Sequence, residues 1–337
     1  MIVLWLIPIC FVISWALTCL LRRYALAKSL IDVPNERSSH SIPTPRGGGV
    51  AIVATFLLGL PVLHVLGLLS QEVLYAFLGS GLIVATLGFA DDHAHIAAKW
   101  RLAGHFIASS WALFWLSGLP TLQLFGITVY PGILSTLIAL CYLVWMLNLF
   151  NFMDGIDGLA SMEAISACLG MCLIYWLTGK SELIWGPLLL AGSTAGFFWW
   201  NFPPARIFMG DAGSGFLGLI LAGMSVHAAN VSPEYFWSWI ILLAVFITDS
   251  TWTLMRRLLR GEKIHQAHRS HAYQHTAMKL RSHKRTTGLV MAINVLWLAP
   301  LAIAVARGLE PLLGLLLAYT PLCFLAFRLR AGLNTAA

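Results

Sequence analysis

Eleven long apolar runs alternate with short polar stretches along this chain. They fall at Ile2–Leu21, Gly49–Ser70, Val73–Ala90, Leu102–Leu119, Ile133–Phe150, Leu159–Leu177, Leu183–Trp200, Gly215–Ala229, Phe236–Leu254, Thr287–Ala306 and Pro311–Phe327. Most approach the ~20 residues a helix needs to cross hydrocarbon, against roughly 10 alternating residues for a barrel strand. In lipid the backbone must satisfy its own hydrogen bonds, so runs of this kind predict helices. The expectation is an all-α, polytopic membrane helix bundle of about eleven spans. Span eight is short and rich in glycine. One integral-membrane domain over residues 1–337 follows, with no separate soluble domain.

Composition agrees: 59% of residues are hydrophobic, 10% are charged, and mean hydropathy is +0.80. Soluble domains carry about a quarter charged residues. The first run lacks a basic segment before it, and Arg22 and Arg23 follow it, so it reads as an uncleaved helix rather than a signal peptide. The six cysteines all lie in apolar runs without a paired CxxC, which fits core packing and offers neither a disulfide framework nor a zinc site.

Basic residues sort the loops by side. With the N-terminus outside, in the periplasm, 19 of the 21 lysines and arginines fall in alternate loops and the C-terminal tail. Only Lys180 and Arg307 fall on the other side. By the positive-inside rule the crowded side, including the C-terminus, is cytoplasmic. The loops there are 22–48, 91–101, 151–158, 201–214 and 255–286. The net charge of +7 is also what orientation and anionic headgroups alone would favour.

That assignment collects the chemistry on one face. Asp91, Asp92, Asp154, Asp157 and Asp211 all land there, although the chain has only 14 acidic residues. Carboxylates gathered at helix ends are expensive, and they suggest a held cation. In NLFNFMDGIDG (148–158), Asn148, Asn151, Asp154 and Asp157 recur every third position. A straight helix would wind these four halfway round its axis. With Gly155 and Gly158 present, we expect the asparagines in a last helical turn and the aspartates on a tight turn. Asparagine oxygens and carboxylates are hard ligands suited to Mg2+, with Mn2+ as an alternative. Asp157 would alternatively cap span six.

Asp211 lies among small residues in NFPPARIFMGDAGSG (201–215), where backbone can approach a phosphate closely. Capping of the helix by Asp211 or Ser214 is the plainer reading. The adjacent Asp91 and Asp92 repel unless a cation is near, and Lys99 and Arg101 follow within ten residues. His265, His268, His271 and His275 of HQAHRSHAYQH are expected along one helical side. The surrounding basic residues, Arg269 among them, favour an anion such as phosphate over zinc. Asp249, inside span nine and about two turns from Arg256, either borders a lipid groove or pairs with Arg256 or a hydroxyl.

In order along nearly the whole chain, these residues resemble the polyprenyl-phosphate N-acetylhexosamine-1-phosphate transferases. DVPNERSSHSIPTPRGGG (32–49), Asp91-Asp92, NLFNFMDGIDGL (148–159), NFPPARIFMGDAGS (201–214) and HRSHAYQ (268–274) look like that family's successive motifs. The HRSHAYQ form is most similar to enzymes that initiate O-antigen or capsular glycans, and departs from the triple-His form of the muramoyl-pentapeptide translocases. The resemblance implies that an N-acetylhexosamine 1-phosphate passes from a UDP-N-acetylamino sugar to undecaprenyl phosphate, releasing UMP. It implies Mg2+ on Asp211 and then Asn151, and catalytic roles for Asp91, Asp92, Asp154 and Asp157. It also implies substrate contacts from Asn148, Asn201, Lys99, Arg101, His268, Arg269 and His271. The setting would be the bacterial inner membrane, with no nucleic acid partner and a homodimer compatible with the family.

Two other classes fit less well. A transporter of an anionic lipid or nucleotide sugar would place polar groups near the midplane and show repeated halves. A CDP-alcohol phosphotransferase would carry its aspartates on a single helix, unlike the order found here.

Overall fold

Every predicted apolar run is helical in the structure, a computed structural model that describes residues 2–34, 42–94, 96–124, 127–262 and 268–333. Arg37, Lys263 and His265, which entered the reading of charge and histidines, lie outside the described residues. The helices are α1 (Ile2–Ala27), α2 (Val50–Val65), α3 (Gln71–Ala94), α4 (Ala98–Trp115), α5 (Ile133–Met153), α6 (Leu159–Leu177) and α7 (Trp185–Asn201). They continue with α8 (Asp211–Ala229), α9 (Pro233–Leu242), α10 (Ala244–Leu259), α11 (Ala272–Leu280), α12 (His283–Ile293), α13 (Ala299–Ala306) and α14 (Pro311–Arg328). A π-helical turn, Asn294–Leu298, joins α12 to α13 in one span.

The chain is therefore a multi-pass membrane protein, but not all eleven runs meet the length and apolarity of a full crossing. Among the described residues eight helical segments do, or nine if α9 and α10 count as one bent span. α2 is shorter, at 16 residues. α4 begins with Lys99, Arg101 and His105, which dilute its apolar run. The expected single span Phe236–Leu254 is instead two helices meeting at 68°.

α8 is the axis of the bundle, buried along nearly its whole length against α2, α3, α5 and α9. With little hydrophobic force between helices in lipid, small residues let backbones pack closely. A Cβ at Gly218 would stand 2.3 Å from the carbonyl oxygen of Met146 in α5. A Cβ at Gly88 of α3 would stand 2.6 Å from the backbone of Ala212. Both contacts are possible only for glycine. They bring Asn151 and the end of α3, one turn past Gly88, over the first turn of α8.

That first turn begins four residues earlier than the expected Gly215. Asp92 explains the difference, because its two carboxylate oxygens accept the Asp211 and Ala212 N–H groups at 3.3 and 3.4 Å. These are orphan donors of a helix start, and a carboxylate there also meets the positive end of the helix dipole. Two small antiparallel ladders were not expected. β1 (Ile31–Asp32) pairs with β2 (Thr44–Pro45), and β3 (Leu122–Leu124) forms a hairpin with β4 (Ile127–Val129).

Candidate functional site

Four of the five aspartates line one polar pocket of about 240 Å³: Asp92, Asp154, Asp157 and Asp211. Asp32, Arg46, Asn151, Asn201 and Gln274 complete its charged and amide lining. As expected, Asn148 and Asn151 lie in the last turns of α5 and the aspartates on the turn into α6. That turn closes at Gly158, whose φ of +75° is left-handed. Asp157 does not cap α6. Its Oδ2 accepts the Ala205 N–H at 3.0 Å, and its Oδ1 lies 3.1 Å from His283 Nδ1. Desolvation in the pocket, then the nearby Asp211, Asp92 and Asp157 carboxylates, hold the Asp154 pKa well above the usual carboxylate range.

Asp91 and Asp92 point apart. Asp92 faces the pocket and α8, while Asp91 pairs with the Arg101 guanidinium and accepts the Ile96 N–H at 2.7 Å. Arg101 also reaches Asp211 Oδ2 at 3.4 Å, and Arg46 donates to the backbone oxygen of Asp92. Asn151 Nδ2 donates to Asp211 Oδ1 at 2.9 Å and to Ser214 Oγ at 3.0 Å. Asn201 is buried with both ends of its amide on backbone, accepting from Gly158 N and donating to Ile207 O. Among the described residues no three His, Cys, Asp or Glu side chains converge on a metal position by themselves.

Behind Asp211 and Asn151 lies a second, largely apolar cavity of about 400 Å³ between α3, α4, α5, α8 and α10. Leu87, Leu102, Phe106, Trp145 and Leu147 line it, with Asp91, Arg101, His105 and Asn148 toward its polar end. Asn148 donates to Val144 O at 2.6 Å and lies 3.4 Å from His105 Nδ1. Asp211 and Asn151 line both cavities, so they form the wall between them. A third cavity, about 640 Å³, adjoins the polar pocket at Asp157 and Phe208 and carries Arg269, Arg281, His283 and Lys284.

The histidines do not share a helical side. Residues 268–271 are not helical, and α11 starts at Ala272, so of the three described histidines of this stretch only His275 is on that helix. The cause is Asp249, buried on α10, which accepts the Ala272 and Tyr273 N–H groups at 2.9 Å each and lies 3.2 Å from His271 Nδ1. Asp249 is thus the remote cap of α11. It does not pair with Arg256, which donates to Ala331 O instead, but it does accept a hydroxyl, that of Thr253, at 3.2 Å. Tyr273 Oη donates to Phe152 O at 3.0 Å, which brings Gln274 into the polar pocket.

The structure thus gathers Asp91, Asp92, Asn148, Asn151, Asp154, Asp157, Asn201, Arg101 and Asp211 at one end of the bundle, with Arg269 next door. Lys99 is exposed and lies over the Trp100 ring. His268 stacks on His271, and neither lines these cavities. Asp32, Arg46, Gln274 and His283 were not singled out from sequence. Arg46 stands beside the RGGG glycines, which was its one visible signal.

A family model described as Glycosyl transferase family 4 matches residues 74–229, from α3 to the end of α8. A probable undecaprenyl-phosphate N-acetylglucosaminyl 1-phosphate transferase of Bacillus subtilis is 27% identical, over 83% of this chain and 79% of that protein. A decaprenyl-phosphate N-acetylglucosaminephosphotransferase of Mycobacterium leprae is 27% identical, over 88% and 81%. A phospho-N-acetylmuramoyl-pentapeptide-transferase of Streptococcus pneumoniae is 30% identical, over 66% and 70%.

Proposed function

The chain belongs to glycosyl transferase family 4, and from that membership we propose that it moves an N-acetylhexosamine 1-phosphate from a UDP-sugar onto undecaprenyl phosphate. The observation that carries the reading is the shared wall: Asp211 and Asn151 separate a polar pocket from an apolar groove. The polar side suits the nucleotide sugar and the apolar side the isoprenoid. An oxygen of the lipid phosphate attacks the sugar-bearing phosphorus, and the bridging oxygen leaves with UMP. Several negative charges meet in that step, so positioning and charge compensation dominate over covalent work by the protein.

The chain's own groups suit these tasks. Arg101, between Asp91 and Asp211 at the mouth of the groove, holds the lipid phosphate. Arg269, with Arg281 and Lys284 in the adjoining cavity, offsets the donor's diphosphate. The clustered carboxylates and the raised Asp154 are what a divalent cation would relieve. Mg2+ commonly takes one or two carboxylates and completes its shell with phosphate and water, so too few converging side chains is no obstacle. Asp211 would be its ligand, with Asn151 holding Asp211 in place. Bound there, Mg2+ would polarise the diphosphate and offset charge on the leaving UMP.

We place this face in the cytoplasm, on the 19 of 21 basic residues that gather with it. The HRSHAYQ form favours a role in initiating O-antigen or a related surface glycan. Similarity to the Streptococcus pneumoniae enzyme supports a second reading, transfer of the muramoyl-pentapeptide unit. One experiment separates them: the purified protein is given undecaprenyl phosphate, Mg2+ and a panel of UDP-HexNAc donors plus UDP-MurNAc-pentapeptide. UMP release from a simple HexNAc donor, abolished by chelator, is expected. Turnover of the pentapeptide donor alone would select the second reading, and no UMP from any donor would sink both.

A further inference from the structure

Past α14 the chain turns back and seats itself on α10. Residues 329–333 close a Schellman turn: the Ala331 N–H returns to Ala326 O and the Arg330 N–H to Phe327 O, each at 3.0 Å. The turn holds Arg330 in left-handed backbone, at φ +58°, where glycine is the usual residue. Ala331 is fully buried and clusters with Ala326 and Ala272, with Trp252 and Leu329 packed around them.

One face of α10 seats both this turn and the segment before α11. Asp249, Thr253 and Arg256 follow one another at helical spacings of four and three. Asp249 takes the Ala272 and Tyr273 N–H groups. Arg256 Nη1 donates to Ala331 O at 3.2 Å. Gly332 lies flush on the helix, where a Cβ would stand 2.9 Å from Arg256 Cβ and 3.0 Å from Thr253 O. From that seat the Gly332 N–H donates to Ser270 O at 2.7 Å.

Ser270 is the neighbour of Arg269, which lines the basic cavity of about 640 Å³. Arg269 Nε is buried with no hydrogen-bond partner among the described residues, so that atom does not fix the guanidinium. A long side chain of this kind has much rotamer freedom to lose, and its backbone must aim it. Residues 268–271 are neither helix nor strand, so their backbone is set from outside. Asp249 holds it on the α11 side, and Gly332 holds it at Ser270.

We propose that residues 329–333 form a strap, seated on α10 by Gly332 and Arg256, that positions Arg269 in the basic cavity. The effect on donor binding rests on the reaction proposed above, whereas the seating of 268–271 does not. Hydrogen exchange on the full-length protein in lipid nanodiscs, without substrate, tests the seating directly. Gly332→Val, which clashes with α10 and is strained at φ +80°, should speed exchange in residues 271–273 on the order of tenfold while α8 stays unchanged. Gly179→Val is the control, equally left-handed at φ +73° but with nothing within 4 Å of its Cβ among the described residues, and it should leave 271–273 within about twofold. Should Gly332→Val not fold, Arg256→Ala reads the same residues and decides alone, and Arg256→Lys, which keeps a donor for Ala331 O, should restore them. Unchanged exchange at 271–273 in the folded variants, or the same rise with Gly179→Val, overturns the strap. With a donor that turns over, Gly332→Val and Arg269→Ala should each raise the donor KM about tenfold with kcat held, and the double variant no further than either. Losses that multiply to about a hundredfold would show that the strap does not act through Arg269.

Discussion

At Asn151 the amide nitrogen donates to Asp211 at 2.9 Å, so in the proposed site this residue would steady the carboxylate. Groups that orient a metal ligand typically matter 10–100-fold. Asn151→Ala is therefore expected to raise the Mg2+ concentration for half-maximal UMP release by about 10–100-fold, read from a Mg2+ titration. Asp211→Asn should lower turnover on the order of 10²–10³-fold or more, with an unchanged melting profile. Full activity in that variant would remove Asp211 from the reaction. These residues were legible because hard oxygen ligands recurred at fixed spacing in a chain with few acids. The job of Asp92 was not, since the N–H groups it caps lie 119 and 120 positions away. Gln274 and His283 were hidden for the same reason: folding alone brings them to the pockets.

Among the elements, α8 depends most on what is missing from its side chains. A Cβ at Gly218 would meet α5 backbone, which cannot swing aside as a side chain does. Gly218→Ala should cost about 1–3 kcal/mol, seen as a lower melting temperature, and should disturb Asn151 through α5. The helices themselves were readable from long apolar runs. The bend between α9 and α10 was not, because an uninterrupted apolar run carries no mark where it breaks. The start of α11 was misread because three-residue spacing suggested a helix, while a carboxylate on another helix set its first residue.

For the molecule as a whole, carboxylates crowd at one end of an otherwise apolar bundle, and pH should report it. The Asp154 pKa is raised on folding. For such an acid, the stabilising proton is held below its unfolded pKa, and that contribution is lost as pH rises through the folded value. The metal-free protein should thus melt at higher temperature as pH is lowered through the folded pKa of Asp154 toward its unfolded one. Asp154→Asn should flatten that slope, and added Mg2+ should do likewise; a slope unchanged in the variant would assign it elsewhere. The gathering of charge on one face was the part of the architecture most open to sequence, since loops sort by side before any contact is known.

Asp211 and Asn151 are a wall held in common by two chambers whose other linings scarcely overlap. Such a partition makes the two specificities separable under selection. Substitutions around Trp145 and Phe106 can retune the tail that is accepted without touching the groups that meet the sugar. On the proposed reaction, substitutions around Asn201 and Gln274 in the polar pocket would exchange the sugar without relearning the lipid. On the proposed reaction, only the wall must answer to both, which would leave a lineage free to change its sugar while keeping its carrier.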